Sequence, residues 1–222
     1  MRLLQRVPEP ELMCDLAQAR AYAEADFSEP HNRFVELFRE RFGNRLAGTL
    51  LDLGCGPGDI YRRFARCYPD CIVHAIDASE PMLALGRKAD RAAGLERRID
   101  YFNAYLPDVD LPETSYSAVI SNSLLHHLKH PDTLWKTVQR FAGNNTRIFI
   151  MDLLRPASTE AAEQLVTEYA SGEPPVLKRD FYNSLLAAYT REEIESQLAD
   201  YGLDKLKPEV VSDRHFIVWG SL

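Results

Sequence analysis

The stretch Leu50-Leu-Asp-Leu-Gly-Cys-Gly-Pro-Gly-Asp59 decides how the chain is read. A short apolar run ends in three glycines spaced two apart, and a helix-like stretch follows over 59–67. Glycines in that position allow a tight turn and let the backbone come close to a ligand. Working outward, the runs Leu50–Leu53, Ile72–Ile76, Ile99–Phe102, Ala118–Ser121 and Arg147–Met151 read as strands. They alternate with helical spacing near 59–67, 80–93 and 131–142. The strand runs are continuous rather than alternating in polarity, as burial on both faces requires, so the expected class is α/β with a parallel sheet covered by helices.

The flanks have a different texture. Residues 1–46 are polar with helical spacing: Leu12, Leu16 and Ala19 recur, then Phe34, Leu37, Phe38 and Phe42, and Pro30 is expected to divide the two helices. Beyond Asp152 come a helical stretch over 157–171, the breaker Gly172-Glu-Pro-Pro175 and the charged, aromatic segment Lys178-Arg-Asp-Phe-Tyr-Asn183, a candidate lid. Thr190 with Glu193 forms a capping box for a helix to Tyr201, and Gly202 stands where a left-handed cap is needed. Leu206–Val211 and His215–Trp219, joined by Ser212-Asp-Arg214, read as a closing hairpin. The expected organisation is one domain over 1–222: an N-terminal helical lid (1–46), a core (47–155), a cap insert (156–189) and a final helix and hairpin (190–222).

With 222 residues, 45% hydrophobic and 27% charged, the chain has the composition of a folded domain. Its 26 basic and 33 acidic residues leave a net charge of −7, which disfavours nucleic acid and anionic membranes as partners. Apolar runs of about five residues fall far short of the roughly 20 that span a bilayer, and the first residues carry no apolar signal core, so a cytoplasmic location is expected. Of Cys14, Cys55, Cys67 and Cys71 only the last two are close together, so neither a metal set nor a disulfide framework is expected.

The ligand of the glycine turn follows from the acids around it. Asp77 ends the second strand 19 residues after Gly58, where a carboxylate can accept both hydroxyls of an adenosine ribose. A dinucleotide turn, Gly-x-Gly-x-x-Gly, started from Gly54 would put Asp59 opposite a pyrophosphate and repel it. Asp52, two residues ahead of Gly54, instead favours a cationic ammonium or sulfonium group. S-adenosylmethionine carries both and no phosphate.

Over residues 47–155 the chain resembles the class I S-adenosylmethionine-dependent methyltransferases. Asp52-Leu-Gly54-Cys55-Gly56-Pro-Gly58 is similar to the family's first motif, which cradles the methionine half of the cofactor. Ala75-Ile-Asp-Ala-Ser-Glu-Pro-Met-Leu83 resembles the second, which implies that Asp77 binds the ribose and that Ala78 and Met82 flank the adenine. Tyr101-Phe-Asn-Ala104 stands where the family often has Gly-Asp-Ala; Asn103 departs from the usual Asp but keeps an amide oxygen that can accept. Tyr116–Ser123, with Ser121, is similar to the family's fourth strand, and the loop Leu124-Leu-His-His-Leu-Lys-His-Pro131 carries histidines where small-molecule members often have one. The resemblance implies a Rossmann-like, doubly wound, mostly parallel seven-stranded sheet with the antiparallel hairpin at its C-terminal end, with S-adenosyl-L-methionine as cofactor and S-adenosyl-L-homocysteine as product.

Methyl transfer to a small molecule is then the expected function. An in-line displacement needs alignment above all, and a base only where the acceptor is protonated. His127, His126 and Asp152 are the candidate catalytic groups, in that order, because they follow the fourth and fifth strands, where ligands bind in open α/β sheets. Tyr22, Arg155, Lys178, Arg179 and Tyr182 are the candidate acceptor contacts; cations among them would favour an acceptor with a carboxylate. The sequence Ser121-Asn-Ser-Leu-Leu125 lacks the Pro-Pro-aromatic pattern that holds a flipped base. The rival readings are a non-catalytic cofactor-binding module and non-methyl chemistry on the same cofactor; oligomeric state stays open.

Overall fold

The computed structural model describes residues 4–9 and 16–222. Leu12 and Cys14, read above, lie outside them. Two helices come first, α1 (Leu16–Glu24) and α2 (Ser28–Phe42). Pro30 does not divide them: it occupies the first turn of α2, where a missing N–H costs nothing, and the break falls at residues 25–27.

Seven strands follow: β1 (Gly48–Leu53), β2 (Cys71–Asp77), β3 (Ile99–Asn103), β4 (Tyr116–Asn122), β5 (Ala142–Leu153), β6 (Lys207–Val210) and β7 (His215–Ser221). They form one sheet in the order β3-β2-β1-β4-β5-β7-β6. The first five are parallel, and β7 inserts antiparallel between β5 and β6. Strands β1 and β4 are buried along nearly their whole length, which is why their sequences are continuous apolar runs.

Helices α3 (Asp59–Cys67), α4 (Glu80–Ala93) and α5 (Asp132–Phe141) link the parallel strands, while α6 (Thr159–Tyr169), α7 (Pro175–Ala187) and α8 (Arg191–Asp200) follow β5. One face of the sheet packs aromatic residues of α2 and α3 on β5: Phe34 and Phe38 meet Phe149 edge-on at 4.9 and 5.7 Å between ring centroids. Such contacts add to simple area burial. The other face takes Trp135 and Val138 of α5 with Ile194 and Leu198 of α8. The expected capping box at Thr190 and Glu193 is complete, and Gly202 adopts φ 63° just past α8. The segment read as a lid, 178–183, lies within α7, which packs against α6.

Strand register brings the acidic strand ends together. Asp52 pairs with Ala75 and Ile120, Asp77 with Asn103, and Asn122 with Met151, so these residues and the adjoining Asp152 share the C-terminal edge of the sheet.

Candidate active site

A cavity of about 310 Å³, within the range of small-molecule sites, opens over that edge. The glycine turn forms its floor. Gly54, Gly56 and Gly58 all have positive φ, at 69°, 53° and 87°. A Cβ on Gly58 would fall 2.0 Å from the Tyr61 ring, whereas one on Gly56 would meet nothing within 4 Å, so the backbone at Gly56 stands open to a ligand.

Asp77 is aimed by two backbone donors, Gly56 N to one oxygen and Ser79 N to the other, both at 2.8 Å. Burial raises its pKa and these hydrogen bonds oppose the rise. Asp52 is 1% exposed, and its Oδ2 has no hydrogen-bond partner among the described residues. Desolvation, then the nearby Asp77 charge, push its carboxyl up to about 8. A buried carboxylate without a partner is costly, and a cation placed in the cavity would relieve it.

The outer wall comes from the N-terminal flank and from α3. Tyr22 of α1, Phe27 and His31 of α2 form a run of ring contacts at 4.8 and 5.4 Å, and all three line the cavity. Tyr22 is half-buried; desolvation and then the charges of Asp77, Asp59 and Asp152 push its phenol up to about 12, so it stays protonated. Asp59 opens α3 and meets His31 Nδ1 at 2.6 Å and Arg63 at 2.9 Å; burial opposes ionisation, but these partners prevail and hold it at about 2. Arg62 lines the cavity too and is engaged by Pro57 O and the buried Asp90.

The turn after β4, residues 125–127, divides the two candidate histidines. His127 lines the cavity and keeps 21% of its side chain exposed, while His126 is 2% exposed and lies behind it. Their rings lie tilted at 37° to each other with centroids 4.1 Å apart. Asp152 is saturated: Oδ1 accepts from His126 Nδ1 at 2.5 Å and Leu153 N at 2.7 Å, and Oδ2 accepts from Leu125 N at 2.7 Å. It therefore anchors the histidine turn to β5 rather than facing a ligand. Burial disfavours charge on His126, but Asp152 outweighs it and raises the pKa; His127 is lowered, by burial and then by the His126 charge. At neutral pH His127 is a neutral imidazole, the form a base requires.

The cavity brings together Asp52, Gly54, Cys55, Gly56, Asp77, Ala78, Met82, Ala104, His127 and Tyr22 of the residues singled out from sequence. Gly58 turns the backbone beneath it. Asn103 donates to Asp77 O, at the exposed end of β3, and Ser121 is fully buried with its hydroxyl on Leu53 O; neither lines the cavity. Four proposed acceptor contacts also stand outside the lining. Arg155 is buried between Ala188 O and Glu193, Lys178 reaches Ser171 O, Arg179 is 69% exposed, and Tyr182 packs against the cluster of Leu153, Ala162 and Leu185. Phe27, expected beside Tyr22 as a gating residue, lines the cavity; sequence reasoning missed His31 and Asp59 as the wall linked to it, and the spacing of Phe27 and His31 by one helical turn was the available signal.

Residues 50–145 match the family described as "Methyltransferase domain". That stretch, the β1–β5 core around the glycine turn, is thus similar to a methyltransferase domain. Over 118 residues the chain is 37% identical to trans-aconitate 2-methyltransferase of Mycobacterium tuberculosis (strain ATCC 25177 / H37Ra), covering 52% of this chain and 41% of the relative. The same activity names a relative from Mycolicibacterium gilvum, 37% identical over 86 residues, 38% of this chain and 30% of that one. The chain thus spans about two fifths or less of these relatives. Among solved structures, an Aquifex aeolicus SAM-dependent methyltransferase superposes with a TM-score of 0.68 at 19% identity, covering 91% of this chain and 97% of that one. The plantazolicin methyltransferase BpumL, bound to a substrate analogue and S-adenosylhomocysteine, gives 0.67 at 14% identity, covering 93% and 90%. At such identities the likeness speaks for the Rossmann-like methyltransferase fold, which matches the sheet order found.

Proposed function

We propose that the methyltransferase domain transfers a methyl group from S-adenosyl-L-methionine to a small-molecule acceptor. The observation that carries this reading is the pair of acids at the strand ends. Asp52, buried with its Oδ2 unpartnered among the described residues, suits the cofactor's ammonium, and Asp77, held by two backbone N–H groups, suits the ribose hydroxyls. Gly56 leaves the backbone open to the methionine half, with Gly54 packed on Leu124 beside it, and Ala78, Met82 and Ala104 offer apolar contact to the adenine. The cofactor supplies a methyl carbon already activated by its sulfonium. The chain's part is to hold the acceptor in line and dry, beneath Tyr22 and Phe27. His127 removes the acceptor's proton where it has one, being neutral and on the cavity wall.

The relatives' acceptor, trans-aconitate, is a tricarboxylate, yet the cations on this cavity's wall are committed. Arg62 holds Asp90, and Arg63 and His31 hold Asp59. That arrangement favours a neutral or cationic acceptor over a tricarboxylate. The test is release of S-adenosylhomocysteine across a panel of amines, phenols, enols and carboxylates including trans-aconitate. Turnover confined to neutral or amine acceptors is expected. Tight cofactor binding with no release on any acceptor would favour a non-catalytic binding module, and efficient turnover of trans-aconitate would overturn the charge argument.

A further inference from the structure

Residues 4–9 form a strap that grips the histidine turn from outside the sheet. Arg6 Nε donates to Ala187 O at 2.6 Å, and one terminal nitrogen donates to both His126 O and Leu128 O at 2.9 and 3.0 Å. Its guanidinium lies 4.2 Å over the Tyr189 ring, and Val7 N donates to Leu186 O at 3.0 Å. Two of the three carbonyls belong to the segment that carries His127. The anchored strap then delivers Glu9 beside the rings: Oε1 accepts from Ser184 Oγ at 2.9 Å and stands 3.0 Å from His127 Nδ1 and 3.5 Å from His126 Nε2.

His127 Nδ1 is fully buried, so the ring edge that reaches the cavity is the one carrying Nε2. Among the described residues no aligned hydrogen bond satisfies Nδ1, and the Glu9 carboxylate is the acidic group beside it. We propose that Glu9 is the positioning residue of His127: docked by Arg6, its carboxylate holds the proton on Nδ1 and leaves Nε2 bare toward the acceptor. This rests on the reading of His127 as the base. A carboxylate behind an imidazole fixes tautomer and orientation in just this way in other catalytic sites.

The charges around the ring agree. His127 faces Glu9 from the strap, His126 from its own turn, Asp152 from β5, and Asp77 across the cavity. Arg6 and the His126 imidazole, whose protonated form Asp152 favours, stand against the carboxylates of Glu9 and Asp152. The ligand atoms of Glu9, His126 and His127 all lie within 4.8 Å of one another, a spacing that would also admit a divalent cation. The charge balance favours the proton instead.

Three versions of the full chain decide it: wild type, Glu9→Gln and Arg6→Gln, each checked for an unchanged circular dichroism spectrum. Histidine ring nitrogens are assigned by long-range proton–nitrogen NMR, and kcat and KM are measured against pH. Wild-type His127 is expected as the Nδ1–H tautomer. Both variants should shift it toward Nε2–H and lower kcat by about 10- to 100-fold, with the cofactor KM little changed, and Glu9→Asp should recover part of the loss. A Glu9→Gln protein with the wild-type tautomer and kcat would overturn the proposal. So would one equivalent of zinc in wild type, by elemental analysis after zinc addition and desalting, that Glu9→Gln loses. His127→Ala with full turnover would refute the base reading alone, since the tautomer comparison still reports whether Glu9 orients the ring.

Discussion

Asp52 is the residue whose state most depends on what fills the cavity. Its carboxyl is raised from the ordinary 3.8 to about 8 by burial, so the free protein is penalised for ionising it. A group with a raised folded pKa costs nothing below 3.8, and the cost accumulates as pH rises from there to about 8. Asp52→Asn should therefore stabilise the free chain by about 2–4 kcal/mol at pH 8 and hardly at all at pH 4, read as Tm against pH, while weakening cofactor binding. Asp77→Ala has the complementary signature. It should lose most affinity for S-adenosylmethionine by calorimetry while the fold persists, and unchanged affinity would mean the ribose contact is misassigned. Both acids were legible in the sequence because each ends an apolar strand beside the glycine turn. Glu9 was not, since nothing in a polar amino-terminal segment announces that its chain returns to pack on a turn more than a hundred residues away.

Between residue and fold stand the elements that set the cavity's shape. The turn into α3 depends on Gly58, whose φ of 87° and proximity to Tyr61 admit no side chain. Tyr61 cannot yield easily, because its hydroxyl and Arg62 are both fastened to Asp90 of α4, which also accepts from Tyr101. Gly58→Ala should cost about 2–4 kcal/mol in chemical denaturation, more than a solvent-facing glycine such as Gly172 would. The parallel strands and their linking helices could be read from periodicity, since two-sided burial writes continuous apolar runs. The post-β5 segment misled for a physical reason: Arg155 and Lys178 have the composition of an anion-binding lid, yet their charges are spent on backbone carbonyls and Glu193. Composition records which charges exist, and only packing shows where they are used.

At the scale of the molecule, a sheet fixes where the ligand goes and the flanks decide what the ligand meets. The N-terminal flank converges on one edge, α1 and α2 over the glycine turn and the strap over the histidine turn. Arg179, fully outside that convergence, provides the control: Arg179→Glu should leave kcat and KM unchanged in an S-adenosylhomocysteine release assay. With His127 held below the ordinary imidazole value of 6.5, the fall of kcat/KM on the acid side should come below pH 6.5 for acceptors that lose a proton, and be absent for those that do not.

The unpartnered oxygen of Asp52 has a thermodynamic consequence that reaches into solution. Near pH 7 a carboxyl with a pKa of about 8 holds its proton most of the time, and an arriving ammonium demands the ionised form. Cofactor capture should then expel close to one proton per molecule, so the heat of binding will change with the ionisation enthalpy of the buffer. Asp52→Asn should abolish that dependence, turning an otherwise silent side chain into a countable stoichiometry.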